Sequence, residues 1–390
     1  MDEDLARLRD IAKELDDVFE LPLTDAPGLV FVGAKFTVGA RDSGKRFSAG
    51  AADTSRQQAL RRCIGEVVET LSQFRDPEEE QEGSFNSFPQ CLDSEEIREL
   101  TEIVGGPGAV GGWVAAMRLS DARPSSVPGA CCYRNVGSTI TPQPSSLGCA
   151  AGRTFPNAIR SALFELIERD AVALWWRGGL RAGSVDTGDI LSETTLLMQE
   201  IRGGAASERR SWLLDLTTDL RIPVVAALSC ARDGYDLAYG FAAAATITAA
   251  IRPALLELAQ MELSNRLVRA KLYCGGQAAL SEVESLHATR IFAIPADLEI
   301  LEPAEHSKSH VAFRMSDDQG LVDEIALHLS DMGIEAYMVD ITNRKLAVPV
   351  VRLVAPRLQA DPGEFETSRL IETRNSYLID KTGPGRPRIL

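Results

Sequence analysis

Three segments of the chain place oxygen-bearing side chains three residues apart among small and apolar neighbours: Glu66 and Glu69, Glu165 and Glu168, and Glu257 and Gln260. On a helix that spacing puts both side chains on one face, one turn apart. Spacing alone says little. With 56 acids in 390 residues, roughly eight acidic pairs at this spacing arise by chance, most of them on solvated faces. The setting is more specific. Glu165 and Glu168 sit between Leu163-Phe164, Leu166-Ile167 and Ala171-Val172-Ala173-Leu174-Trp175-Trp176, and Glu66 and Glu69 sit among Ile64, Val67 and Val68. Carboxylates in such company are partly desolvated, which is costly unless a cation or donor compensates. Oxygen ligands without Cys or His favour magnesium over zinc or iron. Magnesium usually completes its shell with substrate phosphates, which points to a nucleotide, and Arg169 could reach a phosphate oxygen.

Two other readings of these residues stay open. One is plain amphipathic helices with solvated Glu. The other is a di-iron carboxylate site, which needs two Glu-x-x-His elements. The sequence offers one, Glu284 to His287. His306, His310 and His328 are scattered, and His306/His310 reads as a solvated surface pair.

These residues require long helices, predicted at about Arg56–Phe74, Pro156–Arg177 and Ala249–Tyr273. Pro156 suits the first turn of the second. Residues 4–20 have helical period, and Leu29-Val30-Phe31-Val32 reads as a strand. Residues 35–56 read as a strand pair with a loop, and residues 75–98 as a mobile acidic insertion. The stretch Gly105-Gly106-Pro107-Gly108 to Gly111-Gly112 lacks the ending of a P-loop and the order of a dinucleotide motif, so it reads as turn chemistry. A weak internal echo links Leu213-Leu214-Asp215-Leu216-Thr217 … Val224-Val225 with Met338-Val339-Asp340-Ile341-Thr342 … Val350-Val351, each as strand, turn, strand. Interleaved strands and helices predict α+β or α/β layers.

The chain is 45% hydrophobic with a formal net charge of −15. It is long enough for a sizeable core. Its acidity argues against nucleic acid or anionic membrane as partners. No apolar run approaches the ~20 residues that span a bilayer. Met1-Asp2-Glu3-Asp4 is unlike a secretory signal, so a cytoplasmic location is expected. Cys63, Cys91, Cys131, Cys132, Cys149, Cys230 and Cys274 form no CxxC pair and read as reduced thiols, without a zinc site.

The run Ser146-Leu147-Gly148-Cys149-Ala150-Ala151-Gly152, then Ala158, then Glu165-Leu166-Ile167-Glu168-Arg169-Asp170-Ala171 resembles the signature of the YcaO superfamily. Gly65-Glu66-Val67-Val68-Glu69 resembles its upstream ExxE helix, and Glu257 to Gln260 its ExxQ helix. Asp340-Ile341-Thr342 … Val348-Pro349-Val350-Val351-Arg352 … Pro356 resembles its late strand motif. The likeness covers about residues 30–360. It implies a layered α+β / α/β fold with mixed sheets and long motif-bearing helices. Residues 1–45 would be an N-terminal helix and strand segment, 46–360 the ATP-binding catalytic domain, and 361–390 a C-terminal tail.

The resemblance also implies an ATP- and Mg2+-dependent enzyme acting on peptide backbone amides. In azoline-forming members a Cys, Ser or Thr side chain attacks the preceding amide carbon. The amide oxygen takes the γ-phosphoryl group of ATP, phosphate leaves, and a thiazoline or oxazoline remains. Glu66, Glu69, Glu165 and Glu168 would surround the metal. Arg169, Glu257 and Gln260 would contact nucleotide or phosphate, with Ser48, in the loop before the first motif helix, and Ser146, where the family usually has Asn, as further contacts. Met261-Glu262 replaces the family's usual Ser-Arg. The tail Lys381-Thr382-Gly383-Pro384-Gly385-Arg386-Pro387-Arg388-Ile389-Leu390 lacks the PxPxP of many azoline-forming relatives. That departure keeps thioamide or amidine formation open beside cyclodehydration, and a non-catalytic nucleotide-binding scaffold is the third reading. No segment reads as the fused E1-like domain of some members. The implied partners are therefore a ribosomal precursor peptide, a separate E1-like leader-binding subunit and a flavin-dependent azoline dehydrogenase, with room for a homodimer within the complex.

Overall fold

The structure is a computed structural model. It describes residues 11–12, 15–39, 44–74, 92–106, 112–134, 146–185, 189–204, 208–304, 308–314, 317–360 and 365–377. Among these, strands form three sheets. The first has order β1 (Asp17–Leu21), β2 (Val30–Val38), β3 (Lys45–Asp53). The second has order β10 (Ala238–Ala243), β9 (Val224–Cys230), β8 (Arg210–Asp215), β7 (Gly183–Ser184). The third has order β5 (Pro124–Pro128), β4 (Trp113–Arg118), β11 (Tyr337–Asp340), β12 (Val350–Val354), β6 (Cys149–Ala151). Every ladder between these strands is antiparallel, so the architecture is α+β.

Eight α-helices accompany the sheets among the described residues: α1 (Arg56–Ser72), α2 (Ser94–Ile103), α3 (Phe155–Trp176), α4 (Asp189–Ile201), α5 (Ile247–Gly275), α6 (Glu282–Ala293), α7 (Asp318–Asp331) and α8 (Ser368–Ser376). The three expected long helices are α1, α3 and α5. Each opens on a hydroxyl cap: Ser55 accepts from Gln58 N–H, Thr154 from Asn157 N–H and Thr246 from Ala249 N–H.

Helix α3 is apolar on nearly every side and so takes the centre of the molecule. It packs on β12 and β6 of the third sheet and on β10 and β9 of the second. Helix α1 lies between the first sheet, through Ala59, Cys63 and Val67, and the third, through Ile64 and Val68. Helix α5 covers β9 and β10 and reaches β3. The two hairpins of the internal echo match in detail. Asp215 accepts from Thr217 N–H and Thr217 Oγ1 from Val224 N–H, as Asp340 accepts from Thr342 N–H and Thr342 Oγ1 from Val350 N–H.

Several expectations are corrected. Residues 11–12 are helical, but 17–21 form β1, because Val18 and Phe19 join a ladder with β2; residues 4–10 lie outside the described residues. Of the acidic insertion, 75–91 lies outside the described residues. Residues 94–98 begin α2, held by a capping box between Asp93 and Glu96. Gly105 and Gly106 have φ of 94° and 102° and close the end of α2, with N–H groups on Glu102 and Thr101 carbonyls. Ser48 lies within β3 opposite Lys35, not in a loop.

Gly240 sets how closely α5 approaches β10. A Cβ there would stand 2.2 Å from Leu258 N and 2.3 Å from Ala254 O. We predict that Gly240→Ala costs about 2–4 kcal/mol in chemical denaturation, because backbone rather than a flexible side chain must yield. Gly65→Ala, whose Cβ meets nothing within 4 Å, should instead gain about 0.5–1 kcal/mol in the interior of α1.

Candidate nucleotide and metal site

The paired acids of α1, α3 and α5 face strand ends, and backbone N–H groups orient them. Glu69 Oε1 accepts from Ala151 N–H of β6 at 2.8 Å, and Glu165 Oε2 from Gly148 N–H just before β6 at 3.0 Å. Glu257 Oε2 accepts from Phe241 N–H of β10 at 2.7 Å. The backbone N–H of Ala243 on the same strand opposes the rise of the Glu168 pKa. Backbone N–H groups at β6 and β10 thus fix three carboxylates carried by three helices. Two glycines permit the close approach. Gly240 lets α5 down onto β10, and Gly148, at φ 71°, has no room for a Cβ against Leu353 O and Leu166.

The electrostatics show that these carboxylates share one place. Burial pushes Glu165 up to about 7, against Arg169, the Gly148 N–H and Arg352, with the charge of Glu66 adding to the rise. Burial likewise pushes Glu168 up to about 8, against Arg169, with Glu257 and Glu165 adding to it. Glu69 is raised well above the carboxylate range by burial and by Glu66, opposed by the Ala151 N–H. Glu66 is raised by burial, opposed by Arg62, with Glu257 adding to the rise. Solvent reaches Glu66, yet protein surrounds its carboxyl closely, as at the wall of a cleft.

Arg169 is the cation inside the group. Burial alone would lower its pKa, but the fields of Glu168, Glu257 and Glu165 hold it raised. Its Nε lies 3.5 Å from Glu168 Oε1 and is buried without a hydrogen-bond partner. The set therefore fits a hard divalent cation together with phosphate: carboxylate oxygens in excess of local positive charge, and a guanidinium atom still to be satisfied. Among the described residues no three His, Cys, Asp or Glu side chains close into a ready-made metal cage. Magnesium seldom needs one, since it keeps waters and takes substrate phosphates.

Other expected contacts stand differently. Gln260 folds back on α5, its Nε2 donating to Leu256 O at 3.4 Å. Ser146 and Ser48 are exposed. Glu262, beside Gln260, is buried on another face of α5 and gripped by Arg202 at 2.7 and 2.9 Å. The di-iron reading fails. Glu284 pairs with Lys271 and closes the Ser281 cap, while His287 bonds Asn265 at 3.0 Å. His306 lies outside the described residues. His310 is half-buried on Asp215 at 2.8 Å rather than solvated. The described cysteines are free thiols, and only Cys274 among them is exposed.

Sequence reasoning gave no role to Arg62 or Arg352. The visible signal for Arg352 was a lone charge inside the apolar strand Val350-Val351-Arg352-Leu353-Val354. The strand N–H donors have no side-chain signature at all.

A family profile described as YcaO cyclodehydratase, ATP- and Mg2+-binding, matches residues 49–359. The chain belongs to the YcaO family. ATP and Mg2+ are the ligands of that description, and the carboxylate group above has the chemistry to hold them. Solved structures share the fold. One is a heterocyclase in complex with substrate and cofactor, 21% identical over 90% of this chain and 52% of that chain, with TM-score 0.67. Another is YcaO from Methanopyrus kandleri bound with AMPPCP and Mg2+, 18% identical over 92% and 90%, with TM-score 0.63. A third is the E. coli microcin synthetase McbBCD complex, 15% identical over 85% and 85%, with TM-score 0.56. The chain spans about half the length of the heterocyclase chain. No curated protein matches it. No described helix of this YcaO chain is long and apolar enough to cross a membrane.

The raised carboxyls give a pH prediction for metal-free protein. Glu165 and Glu168 bind protons in the folded state up to about 7 and about 8, against 4.5 when unfolded. Between those limits the native state holds more protons than the unfolded chain, so stability falls as pH rises. The depressed Asp121 and Glu284, at about 2, act only below that window, and the lowered His287 opposes the trend only up to its unfolded value of 6.5, leaving two carboxyls against one imidazole. Calorimetry in EDTA should show Tm falling from pH 5 to pH 8, and Glu168→Gln should flatten the slope. A flat or rising Tm in the wild type would contradict the site's electrostatics.

Proposed function

We propose that this chain is an ATP- and Mg2+-dependent cyclodehydratase. It activates backbone amides of a ribosomally made peptide and closes Cys, Ser or Thr side chains into thiazolines or oxazolines. The observation that carries this reading is the gathering of Glu66, Glu69, Glu165, Glu168 and Glu257 around Arg169 in a member of the YcaO family. In this reading residues 46–360 are the catalytic domain, flanked by segments 1–45 and 361–390.

Glu66, Glu69, Glu165 and Glu168 hold magnesium, and Arg169, Glu257 and Gln260 bind the nucleotide and its phosphates, with Ser48 and Ser146 at the margin. Bound magnesium supplies neutralisation of phosphate charge. The nucleophile belongs to the substrate peptide, whose side chain gives up its proton and adds to the preceding amide carbon, breaking the C=O π bond. The resulting oxyanion would take the γ-phosphoryl group with ADP leaving, and loss of the amide N–H proton would close the C=N bond as the C–O bond breaks and phosphate departs. The chain's own residues hold and orient, as phosphoryl transfer mainly requires. Arg169, kept charged by its acidic neighbours, would offer its unpartnered Nε to a phosphate oxygen. The strand N–H groups keep the carboxylates in register with it.

The fold likeness to a heterocyclase described with substrate and cofactor, and to a chain of a synthetase complex also described with pro-MccB17 bound, supports a precursor peptide as substrate and partner subunits around the chain. The proposed partners are a leader-binding E1-like protein and a flavin-dependent azoline dehydrogenase, with a homodimer of this chain inside the assembly.

The test is Mg2+-dependent ATP turnover in the presence of a Cys/Ser-rich precursor and its leader-binding partner, read together with peptide mass. A loss of about 18 Da per ring is expected. Glu165→Gln and Glu168→Gln should each lower turnover on the order of 100-fold or more, as expected for lost metal ligands. Turnover at the wild-type rate in both variants would remove the site. A gain of about 16 Da, sulfur for oxygen, would move the chemistry to thioamide formation.

A further inference from the structure

Helix α6 carries a cation that no acid of the chain has claimed. Arg290 is half-buried in its last turn. Among the described residues none makes a hydrogen bond or ion pair with it. The chain has 56 acids against 41 Lys and Arg, so its isolation is not for want of carboxylates.

The position of Arg290 follows from how α6 is pinned. Lys271 of α5 pairs with Glu284, and Val268 of α5 packs on Ala288. His287 Nε2 lies 3.0 Å from Asn265 Oδ1. Asn265 Nδ2 in turn donates to Asp236 Oδ1 at 2.9 Å and to Leu237 O at 3.2 Å. His287 is thereby fixed at the start of β10. Arg290 follows it by one turn, about 5 Å, on the same face of α6. Tyr239 follows Leu237 by two residues, about 7 Å along the strand. The two come level, and the fields agree. Arg290 acts on both His287 and Tyr239, and on Tyr239 more strongly than Glu257 or Arg169 does.

Tyr239 carries a second unclaimed donor. The residue is only 8% exposed. Its ring stacks on Phe241 with centroids 5.5 Å apart, and Phe241 meets Trp175 of α3 edge-on at 6.3 Å. Among the described residues nothing accepts from its hydroxyl, although a buried tyrosine hydroxyl usually finds a partner. Two residues on, the Phe241 N–H holds Glu257. Glu257 and Arg169 both act on the phenol, so the hydroxyl borders the carboxylate group.

Three donors therefore stand together: Arg169 Nε, buried without a partner, the Tyr239 hydroxyl and the Arg290 guanidinium. The anion that satisfies them also lies beside carboxylates suited to a metal. A side-chain carboxylate has two oxygens and serves one guanidinium in bidentate fashion. A polyphosphate presents oxygens on successive phosphorus atoms and reaches a metal and two guanidinium groups at once.

We propose that Arg290 and Tyr239 are nucleotide-binding residues that, with Arg169, hold polyphosphate oxygens of Mg2+-ATP. Arg290 does so by a charge-assisted hydrogen bond and Tyr239 through its hydroxyl. The inference rests on the ATP-dependent reading above and extends the site from three helices to a fourth, α6.

The test is calorimetric titration of the full chain with Mg2+ and the ATP analogue AMPPCP. The wild type should bind saturably. Arg290→Gln should weaken binding about tenfold or more, as for a lost charge-assisted hydrogen bond. Arg290→Lys should recover part of that loss. Tyr239→Phe, which keeps the ring stack, should weaken binding about threefold. Inorganic tripolyphosphate with Mg2+ keeps the phosphates and lacks the base, so it should show the same losses. Arg232→Gln removes an exposed cation paired with Glu208 and should change nothing, which separates contact from net charge. Equal AMPPCP affinity in Arg290→Gln and wild type would overturn the proposal and leave the ATP reading standing. A loss seen with AMPPCP but not with tripolyphosphate would also overturn it, by placing the effect at the base. A wild type that binds no AMPPCP would overturn the ATP reading, and this inference with it.

Discussion

The structure is organised around one electrostatic liability: carboxylates from three helices held close together, all but Glu66 largely shielded from bulk water. Like charges at short range raise one another's proton affinity, and burial raises it further. Left alone, such a group would protonate or push its helices apart. Three features oppose that outcome. Arg169 supplies a positive charge from within the same helix as Glu165 and Glu168. The N–H groups of Gly148 and Ala151 beside and in β6, and of Phe241 within β10, bond individual carboxylates. The helices have no slack to separate, because α3 is wedged between two sheets and α5 meets β10 at backbone contact through Gly240.

Other buried acids in the chain show how a purely structural carboxylate looks. Asp170 follows Arg169 and is fully buried. It is answered by Arg369 at 2.9 Å and by the Gln359 N–H at 2.9 Å, which ties α8 to the back of α3. Glu262 has the two-pronged grip of Arg202, and Asp236 has Arg209 and Arg269. In each case a cation is committed to the acid, so the charge is balanced within the protein. The motif carboxylates differ because several of them draw on one guanidinium. That imbalance, rather than burial, separates a site for a cation from a brace between helices.

Much of this was legible in the sequence, and the failures have physical causes. The long helices could be read because their apolar stretches, caps and Pro156 agree. The paired acids could be singled out because they interrupt those stretches. The Asp-x-Thr echo was legible because both hairpins need the same side-chain-to-backbone bonds at the turn. Residues 17–20 misled because their charge pattern suits a helix face, whereas the ladder with β2 decides the outcome. The capped start of α2 was hidden within an acidic run, since a capping box and a solvated loop use the same residues. The donors that orient the site could not be read at all. A backbone N–H is the same at every position, and only the fold brings Ala151 and Phe241 to Glu69 and Glu257.

Those donors also bear on how the group can exchange one counter-charge for another. Each strand N–H occupies one oxygen of its carboxylate: Oε1 of Glu69, Oε2 of Glu165, Oε2 of Glu257. A carboxylate has two oxygens and about four acceptor positions, so orientation is fixed while one oxygen stays available. Burial pushes Glu165 and Glu168 up to about 7 and about 8, so without metal protons fill that capacity up to near-neutral pH. On the proposed reading a divalent cation would compete for the same oxygens and displace the protons, so its binding would be linked to pH near neutrality. The neutral form is also the one the metal-free fold tolerates best. The same shared burial that makes the carboxylates poor ions on their own makes them ligands that gain most from a cation. The strand donors ensure that the gain is realised in one geometry, with Arg169 beside it.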